Sequence, residues 1–246
     1  MSESHIDPDA RAHSERLQAL IRSEIQSAGG AIPFWRFMEL ALYAPGLGYY
    51  SAGATKFGAA GDFITAPELG PLFAECVAEA VVPVLQQLGP QAHFVEVGGG
   101  SGRFAGDAIT RMAQMDALPA RYSILEPSAD LRERQGEYLR QRLDASQFRR
   151  VHWLERPPQD EWHGVLFANE VIDALPTPRF AIVDGEVMEE HVALDGDGGF
   201  KRVDRPADAL LSAAVRHVER PLPQPFAEGY RSELLPQLPS CIQAVI

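Results

Sequence analysis

"FVEVGGGSG", residues 94–102, joins a short apolar run directly to a segment with four glycines in five positions. Apolar runs of this length, bounded by turn residues, are typical of strands that are buried inside a sheet. Glycine has no β-carbon, so its backbone adopts positive φ easily and can lie directly against a ligand. The stretch therefore predicts a buried strand that ends in a ligand-binding turn.

Strands and helices alternate along the chain beyond this turn. Apolar residues at helical spacing follow the glycines, and a second strand, a second helix and two further strands come after them. The predicted ranges are 121–128 for the second strand, 129–143 for its helix, 149–155 for the third strand and 164–176 for the fourth, which is apolar up to Asn169. Such alternation is typical of a parallel sheet with helices on its faces. We therefore expect a doubly wound α/β fold.

The first 90 residues are predicted to be mainly helical. The predicted helices are 10–27, Pro33 to Pro45 and about 71–88. Residues 45–70 form a long glycine-rich loop that contains "GDFITAPE", and loops of this length often carry function. We therefore divide the chain into a helical N-terminal region, residues 1–90, and a ligand-binding core, residues 91–246. Within the core, "DG" turns predict two or three antiparallel strands inserted at about 179–203.

Composition excludes several classes of partner. The formal net charge of −12 at pH 7 opposes non-specific nucleic-acid binding, because such binding depends on clustered Lys and Arg. No apolar run reaches the roughly 18 residues that a membrane-spanning helix needs. Cys76 and Cys241 lie far apart without a C-x-x-C spacing, and the histidines show no metal-binding spacing. We therefore expect no nucleic acid, no membrane insertion, no metal and a reducing, cytoplasmic location.

The glycines follow a regular spacing, Glu96-x-Gly98-x-Gly100-x-Gly102. In a doubly wound sheet the first strand–helix turn lies at the ligand crevice, so we expect Glu96 and these glycines to bind a cofactor. A dinucleotide fingerprint would have a further glycine where this chain has Arg103, which disfavours a nicotinamide cofactor. The spacing resembles instead the first motif of S-adenosylmethionine-dependent methyltransferases, in which the glycines meet the amino-acid end of the cofactor.

Glu126 ends the second predicted strand, in "SILEPS". A carboxylate in that place can accept hydrogen bonds from both hydroxyls of a ribose, in a nicotinamide enzyme or in an adenosylmethionine enzyme. Glu126 could instead cap the helix that follows Pro127. Trp153, near the end of the third strand, could stack beside an adenine or be an ordinary core residue. The combination of Glu126 with the glycines favours a cofactor that contains a ribose.

Asn169, Glu170 and Asp173 follow the fourth apolar strand, at the edge where a parallel sheet has its catalytic residues. Two carboxylates suit a cationic acceptor such as a guanidinium, which keeps its proton in water because its pKa exceeds about 12. Bidentate carboxylate–guanidinium geometry would hold the acceptor nitrogen in place. Alternatively, Asp173 could cap a short helix while Glu170 pairs with a core arginine.

Three segments together resemble the MidA-like methyltransferases, bacterial proteins related to the mitochondrial protein-arginine methyltransferase that assists complex I assembly. They are "GYYSAGATKFGAAGDFITAPELGPLFAE" (48–75), "EVGGGSGR" (96–103) and "ANEVIDALPTPRF" (168–180). The resemblance covers about residues 15–240, and G-D-F-x-T-x-P-E is its most specific part. It implies a class I methyltransferase fold, which is Rossmann-like, with a helical N-terminal extension. It also implies S-adenosyl-L-methionine as cofactor and a protein substrate with an accessible arginine.

The resemblance further implies roles for single residues. Thr65 and Pro67 contact the cofactor, whereas Asp62, Phe63 and Glu68 contact the substrate. Gly98, Gly100 and Glu126 bind the cofactor, and Asn169, Glu170 and Asp173 face the transferred methyl group as catalytic residues. Members of the family continue beyond the point that matches Ile246 and supply the remaining strands of the sheet. We therefore expect an incomplete sheet in these 246 residues, with the fourth strand at its edge.

Three functions stay open at this point. The first is methyl transfer from adenosylmethionine to arginine in a protein. The second is a cofactor-binding assembly factor that holds a partner without catalysis, and the third is an NAD-dependent oxidoreductase, which Arg103 disfavours. Ser101 also has the G-x-S-x-G spacing of a hydrolase nucleophile turn, but a cofactor explains the crowded glycines better.

Overall fold

The computed structural model describes residues 8–51, 65–158 and 160–243. The chain forms two compact units, Met1–Ala52 with Ala174–Ile242, and Gly53–Asp173 with Gln243–Ile246. These bounds differ from the predicted division at residue 90. The reason is that the helix preceding residue 90 packs on the parallel sheet, whereas the N-terminal helices pack on antiparallel strands.

The N-terminal segment contains α1 (Pro8–Ser27), β1 (Ala31–Pro33) and α2 (Phe34–Tyr43). Both helices agree with the sequence prediction. The sequence pattern does not predict β1, because three residues are too few to show an alternation of apolar and polar side chains.

An alternating series of helices and strands follows in the second unit. It consists of α3 (Ala66–Leu69), α4 (Leu72–Leu88), β2 (His93–Val97), α5 (Arg103–Gln114), β3 (Arg121–Leu125), α6 (Ala129–Arg142), α7 (Ala145–Phe148), β4 (Val151–Leu154) and β5 (Gly164–Ala168). The four strands are parallel, in the order β4-β3-β2-β5. The predicted Rossmann-like α/β fold is thereby confirmed.

Alternate strand residues pack against α4, α5 and α6. Phe94 and Tyr122 are fully buried and form one core with Ala78, Ile109 and Leu139, which come from the three helices respectively. The rings of Phe94 and Tyr122 stack with centroids 4.9 Å apart. Burial of one large apolar side chain contributes about 1.5–3 kcal/mol, so this core holds the strands in register.

β2 is one of the two inner strands of the parallel sheet. Its last residue, Val97, pairs with Leu125 of β3 on one side and with Ala168 of β5 on the other. Parallel strands end at the same edge, so the loops after β2, β3 and β5 emerge together. Within the described ranges β5 pairs with β2 alone, and for that part of the chain the expected edge position of this strand is confirmed.

The C-terminal segment forms a second sheet with β1. After a 3-10 helix at Ile172–Ala174, its elements are β6 (Arg179–Val183), β7 (Glu186–Leu194), β8 (Phe200–Pro206), α8 (Ala209–Glu219), β9 (Arg231–Glu233) and α9 (Leu238–Gln243). The order is β1-β7-β6-β9, with β8 also paired to β7, and all pairs are antiparallel. The predicted antiparallel insertion is therefore part of a larger, five-stranded sheet.

Two small cores hold this sheet. Ile25 of α1 and Leu40 of α2 pack with Val192 of β7, and Val215 of α8 packs with Phe180 of β6. Among the helices in the described ranges, none combines the length and the apolar character that a membrane span requires.

Candidate active site

The candidate site lies where the parallel strands end. In open α/β sheets, ligands bind outside the carboxyl ends of the strands, next to the point where the strand order reverses. β2 is at that point, because β3 lies on one side of it and β5 on the other. Three groups of predicted site residues follow β2, β3 and β5: the glycines, Glu126, and the polar residues from Asn169 to Asp173. The fold therefore brings their backbones to one edge.

The turn after β2 contains a stretch of backbone that only glycine adopts easily. Gly98 and Gly100 have φ values of +70° and +51°. A β-carbon on Gly98 would lie 3.0 Å from Cγ2 of Val171, whereas one on Gly100 would meet no heavy atom of the described residues within 4 Å. Gly100 therefore presents bare backbone to open space, as a close-lying ligand requires. Gly102, also predicted to bind the cofactor, precedes α5 in a left-handed conformation.

Gly99 has a different role from its neighbours. A β-carbon there would lie 2.6 Å from Cγ2 of Ile124 on β3, which is closer than real atoms approach. The turn thus packs against the neighbouring strand at Gly99 and opens outward at Gly100. Gly99 therefore serves packing, whereas its neighbour Gly100 leaves room for a ligand.

Glu126 follows β3 directly, and its side chain is 6% exposed. Its Oε1 accepts a hydrogen bond of 3.0 Å from the backbone N–H of Ser128, and Oε2 lies 3.5 Å from Nε2 of Gln135. Burial raises the pKa of Glu126, while the hydrogen bond from Ser128 counteracts this shift. Ser128 itself caps α6, because its hydroxyl oxygen accepts from Leu131 N–H. Oε2 thus keeps acceptor capacity for a ligand.

Gln135, which the sequence analysis does not single out, connects three parts of the site. Its side chain is fully buried on α6. Nε2 donates a hydrogen bond of 2.9 Å to the carbonyl oxygen of Gly100, and Oε1 accepts one of 2.8 Å from the indole N–H of Trp153. A helical spacing of four residues places Gln135 on the same face as Leu139, which is also buried, and that spacing is the sequence signal that could have found it.

Trp153 is half-buried and packs against the core of the parallel sheet. Its ring lies 3.7 Å from the position that a β-carbon on Gly136 would take. Its indole N–H donates a hydrogen bond to Oε1 of Gln135. These contacts account for one side of Trp153, and its stacking beside an adenine stays a prediction.

Glu96 lies inside the protein, with 3% of its surface exposed. Its Oε2 accepts a hydrogen bond of 2.8 Å from the hydroxyl of Tyr122. Burial raises the pKa of Glu96 to about 7, the Tyr122 bond opposes the shift and the charge of Glu126 adds to it. The carboxylate is thus engaged internally, and its contact with a cofactor stays a prediction.

Glu68 of α3 binds the glycine turn. It accepts a hydrogen bond from the hydroxyl of Ser101, and its Oε2 lies 3.2 Å from Nε of Arg103. Its side chain is 4% exposed. The structure therefore places Glu68 against the turn that is predicted to bind the cofactor, although the sequence predicts a substrate contact.

The other predicted residues of the "GDFITAPE" loop are only partly described. Thr65 precedes the first residue of α3, and Pro67 lies in its first turn. Both therefore stand within three residues of Glu68. Asp62 and Phe63 lie outside the described residues.

Asn169, Glu170 and Asp173 follow β5. Glu170 and Asp173 are exposed, and Nδ2 of Asn169 lies 3.4 Å from Oε1 of Glu170. Glu170 has a φ of +52°, a left-handed conformation that costs a non-glycine residue about 1–3 kcal/mol and is frequent at functional sites. The arrangement presents two accessible carboxylates, suited to a cation. In the described part of the chain, no group of three His, Cys, Asp or Glu side chains could hold a metal ion.

Residues 76–246 match a family model described as "Putative S-adenosyl-L-methionine-dependent methyltransferase". The chain is also similar to mitochondrial proteins named protein arginine methyltransferase NDUFAF7 homolog. It is 30% identical to the Drosophila melanogaster protein over 243 residues, which cover 88% of this chain and 54% of the fly protein. It is 27% identical to the Caenorhabditis elegans protein, over 76% of this chain and 50% of that protein. The chain thus spans about half the length of these relatives.

Two crystal structures from Burkholderia thailandensis share the fold. One, with S-adenosyl-homocysteine bound, is 39% identical and superposes with a TM-score of 0.86 over 99% of this chain and 62% of that chain. The other, a native structure from the same superfamily, is 39% identical with a TM-score of 0.80, over 95% of this chain and 58% of that chain.

Proposed function

The chain belongs to this family of S-adenosyl-L-methionine-dependent methyltransferases, and we propose that it transfers a methyl group from that cofactor to an arginine side chain of a protein. The observation that carries the proposal is the open space at Gly100, which lies at positive φ in the turn after β2, while Glu126 directly follows the neighbouring strand β3. The related structure with S-adenosyl-homocysteine bound supports the cofactor, and the names of the mitochondrial relatives support the acceptor.

The residues at this edge fit adenosylmethionine. A β-carbon at position 100 would fill the space that is open now, so the bare backbone could receive the amino-acid end of the cofactor. Among the described residues, the hydrogen-bond contact of Glu126 Oε2 is a long one, 3.5 Å to Nε2 of Gln135. Carboxylate oxygens accept hydrogen bonds from ribose hydroxyls. When bound, the cofactor supplies an electrophilic methyl group on a sulfonium.

The acceptor side of the site follows β5. Glu170 and Asp173 are exposed carboxylates that could hold a guanidinium by charge-assisted hydrogen bonds. The guanidinium nitrogen that gains the methyl group would lose one proton, and the exposed carboxylate of Glu170 could accept that proton. Direct displacement of this kind depends mainly on positioning the two reactants.

The proposal is tested with cofactor that carries a tritiated methyl group. The full chain is incubated with arginine-containing peptides and with protein extract, and labelled proteins are hydrolysed to identify the methylated amino acid. Label in methylarginine supports the proposal, and Glu170→Gln serves as the low-activity control. Label in another residue would overturn the arginine assignment. Cofactor binding without any transfer would favour the assembly-factor hypothesis, and tight binding of NAD alone would overturn the methyltransferase proposal. The cytoplasmic location stays a prediction.

A further inference from the structure

The amide of Gln135, on α6, contacts three parts of the site. They are the glycine turn, the carboxylate of Glu126 and the indole of Trp153. The side chain of Gln135 is fully buried. Its Nε2 lies 2.9 Å from the carbonyl oxygen of Gly100 and 3.5 Å from Oε2 of Glu126, and its Oε1 lies 2.8 Å from Nε1 of Trp153. Both amide atoms are thus directed at partners.

A primary amide suits this position because it has two donor hydrogens on one end and an acceptor on the other. The donor end faces two oxygen acceptors, the Gly100 carbonyl and the Glu126 carboxylate, and the acceptor end faces an N–H. A carboxylate of the same size would keep the bond to Trp153 but would turn oxygen toward oxygen on the other side. An apolar side chain of similar length would make neither bond.

We propose that Gln135 is a positioning residue that holds the Gly100 carbonyl and the Glu126 carboxylate at a fixed distance and orientation. It thereby determines how strongly the site prefers a cofactor with an intact ribose over one with a 2′-deoxyribose. This inference rests on the proposed function, because it takes the open space at Gly100 and the acid Glu126 as the two contacts of adenosylmethionine. The bond to Gly100 holds the backbone that the ligand approaches. The contact with Glu126 orients the oxygen that a ribose hydroxyl would reach.

The test compares two ligands on the wild type, two Gln135 variants and one control variant. Calorimetry measures the Kd of S-adenosylhomocysteine and of its 2′-deoxyribose analogue for the wild type, Gln135→Glu and Gln135→Met. Gln87→Glu, an exposed residue of α4, is the matched control for the change in charge. Thermal melting of each protein reports the fold separately. A residue that only supports packing would weaken both ligands equally, whereas a positioning residue changes the ratio of the two Kd values.

We expect the wild type to prefer the intact ribose by about tenfold, equivalent to about 1.4 kcal/mol. In Gln135→Glu and Gln135→Met the ratio of the two Kd values falls toward one, while Gln87→Glu keeps the ratio of the wild type. A Gln135 variant that folds and keeps the full preference overturns the inference alone. If both Gln135 variants fail to fold, Gln135 is a structural residue and the inference is likewise overturned. A wild type that binds both ligands equally removes Glu126 as the ribose contact, and with it the inference. A wild type that binds neither ligand overturns the proposed function itself.

Discussion

The hydroxyl of Tyr122 donates a hydrogen bond of 2.8 Å to the carboxylate of Glu96 between two neighbouring strands of the core. The pair is fully buried, and burial raises the pKa of Glu96 from 4.5 to about 7. The folded protein therefore keeps a proton on Glu96 at pH values at which the unfolded chain has lost it. The stability linked to this proton is complete below pH 4.5 and is lost as the pH rises to about 7.

We expect Glu96→Gln to remove this loss, because the amide keeps the size of the side chain and has no proton to release. The free energy of unfolding of Glu96→Gln should rise relative to that of the wild type between pH 5 and pH 8, as measured by urea unfolding at constant ionic strength. Tyr122→Phe removes the donor that favours the ionised form, so in that variant the loss should move to higher pH. Parallel pH profiles of the wild type and Glu96→Gln would show that Glu96 is already ionised.

The second prediction compares two neighbouring glycines. Gly100→Ala should fold, since the new methyl group meets open space and the left-handed backbone costs about 1–3 kcal/mol, but it should weaken cofactor binding strongly. Gly100→Val should abolish binding, because a β-branched side chain fills more of the space and opposes positive φ. Gly99→Ala is the matched control and should destabilise the fold by about 1–3 kcal/mol through overpacking against Ile124. Calorimetry with adenosylmethionine and thermal melting separate the two effects. Unchanged affinity in folded Gly100→Val would mean that the turn serves packing alone.

The third prediction concerns Glu126. Replacement by Ala should weaken adenosylmethionine by about 1.5–3 kcal/mol, the usual range for hydrogen bonds to a charged group. Ser128→Ala removes the hydroxyl that caps α6 and should cost about 1 kcal/mol of stability while the affinity stays the same. If Glu126→Ala loses stability without a selective loss of affinity, the carboxylate acts only on the backbone of Ser128.

The fourth prediction separates the two properties of Glu170. Glu170→Gln keeps the size but not the charge, so cofactor binding should persist while methyl transfer falls, which the tritium assay measures. Glu170→Gly relieves the left-handed backbone conformation at φ +52°. It should therefore raise the free energy of unfolding by about 1 kcal/mol and lose transfer as well. A Gln variant as active as the wild type would remove Glu170 from the mechanism.

Much of the fold could be predicted from neighbouring residues. The apolar run before the glycines corresponds to β2, and the alternation after it corresponds to β3, α6 and β4 within a few residues. The fourth predicted strand, 164–176, begins where β5 begins, but β5 ends at Ala168. The strand cannot continue because Glu170 leaves the extended conformation, with a φ of +52°. The unusual backbone of Gly100 followed from its residue type, because a residue without a β-carbon adopts positive φ freely. The placement of Glu126 and Glu170 at strand ends followed from the same local patterns.

Tertiary structure alone decided which side chains meet. Gln135 reaches the backbone of Gly100 across 35 residues, Ser101 reaches Glu68 across 33, and Tyr122 reaches Glu96 across 26. β1, three residues long, exists as a strand through its pairing with β7, in which Ala31 lies opposite Ala193. The period of a strand or helix and the freedom of a glycine are properties of a few adjacent residues, so the sequence determined the elements and the turn. The partner of a buried polar group depends on how separate elements pack, and for that reason the amide that joins the turn to Glu126 emerged only from the folded chain.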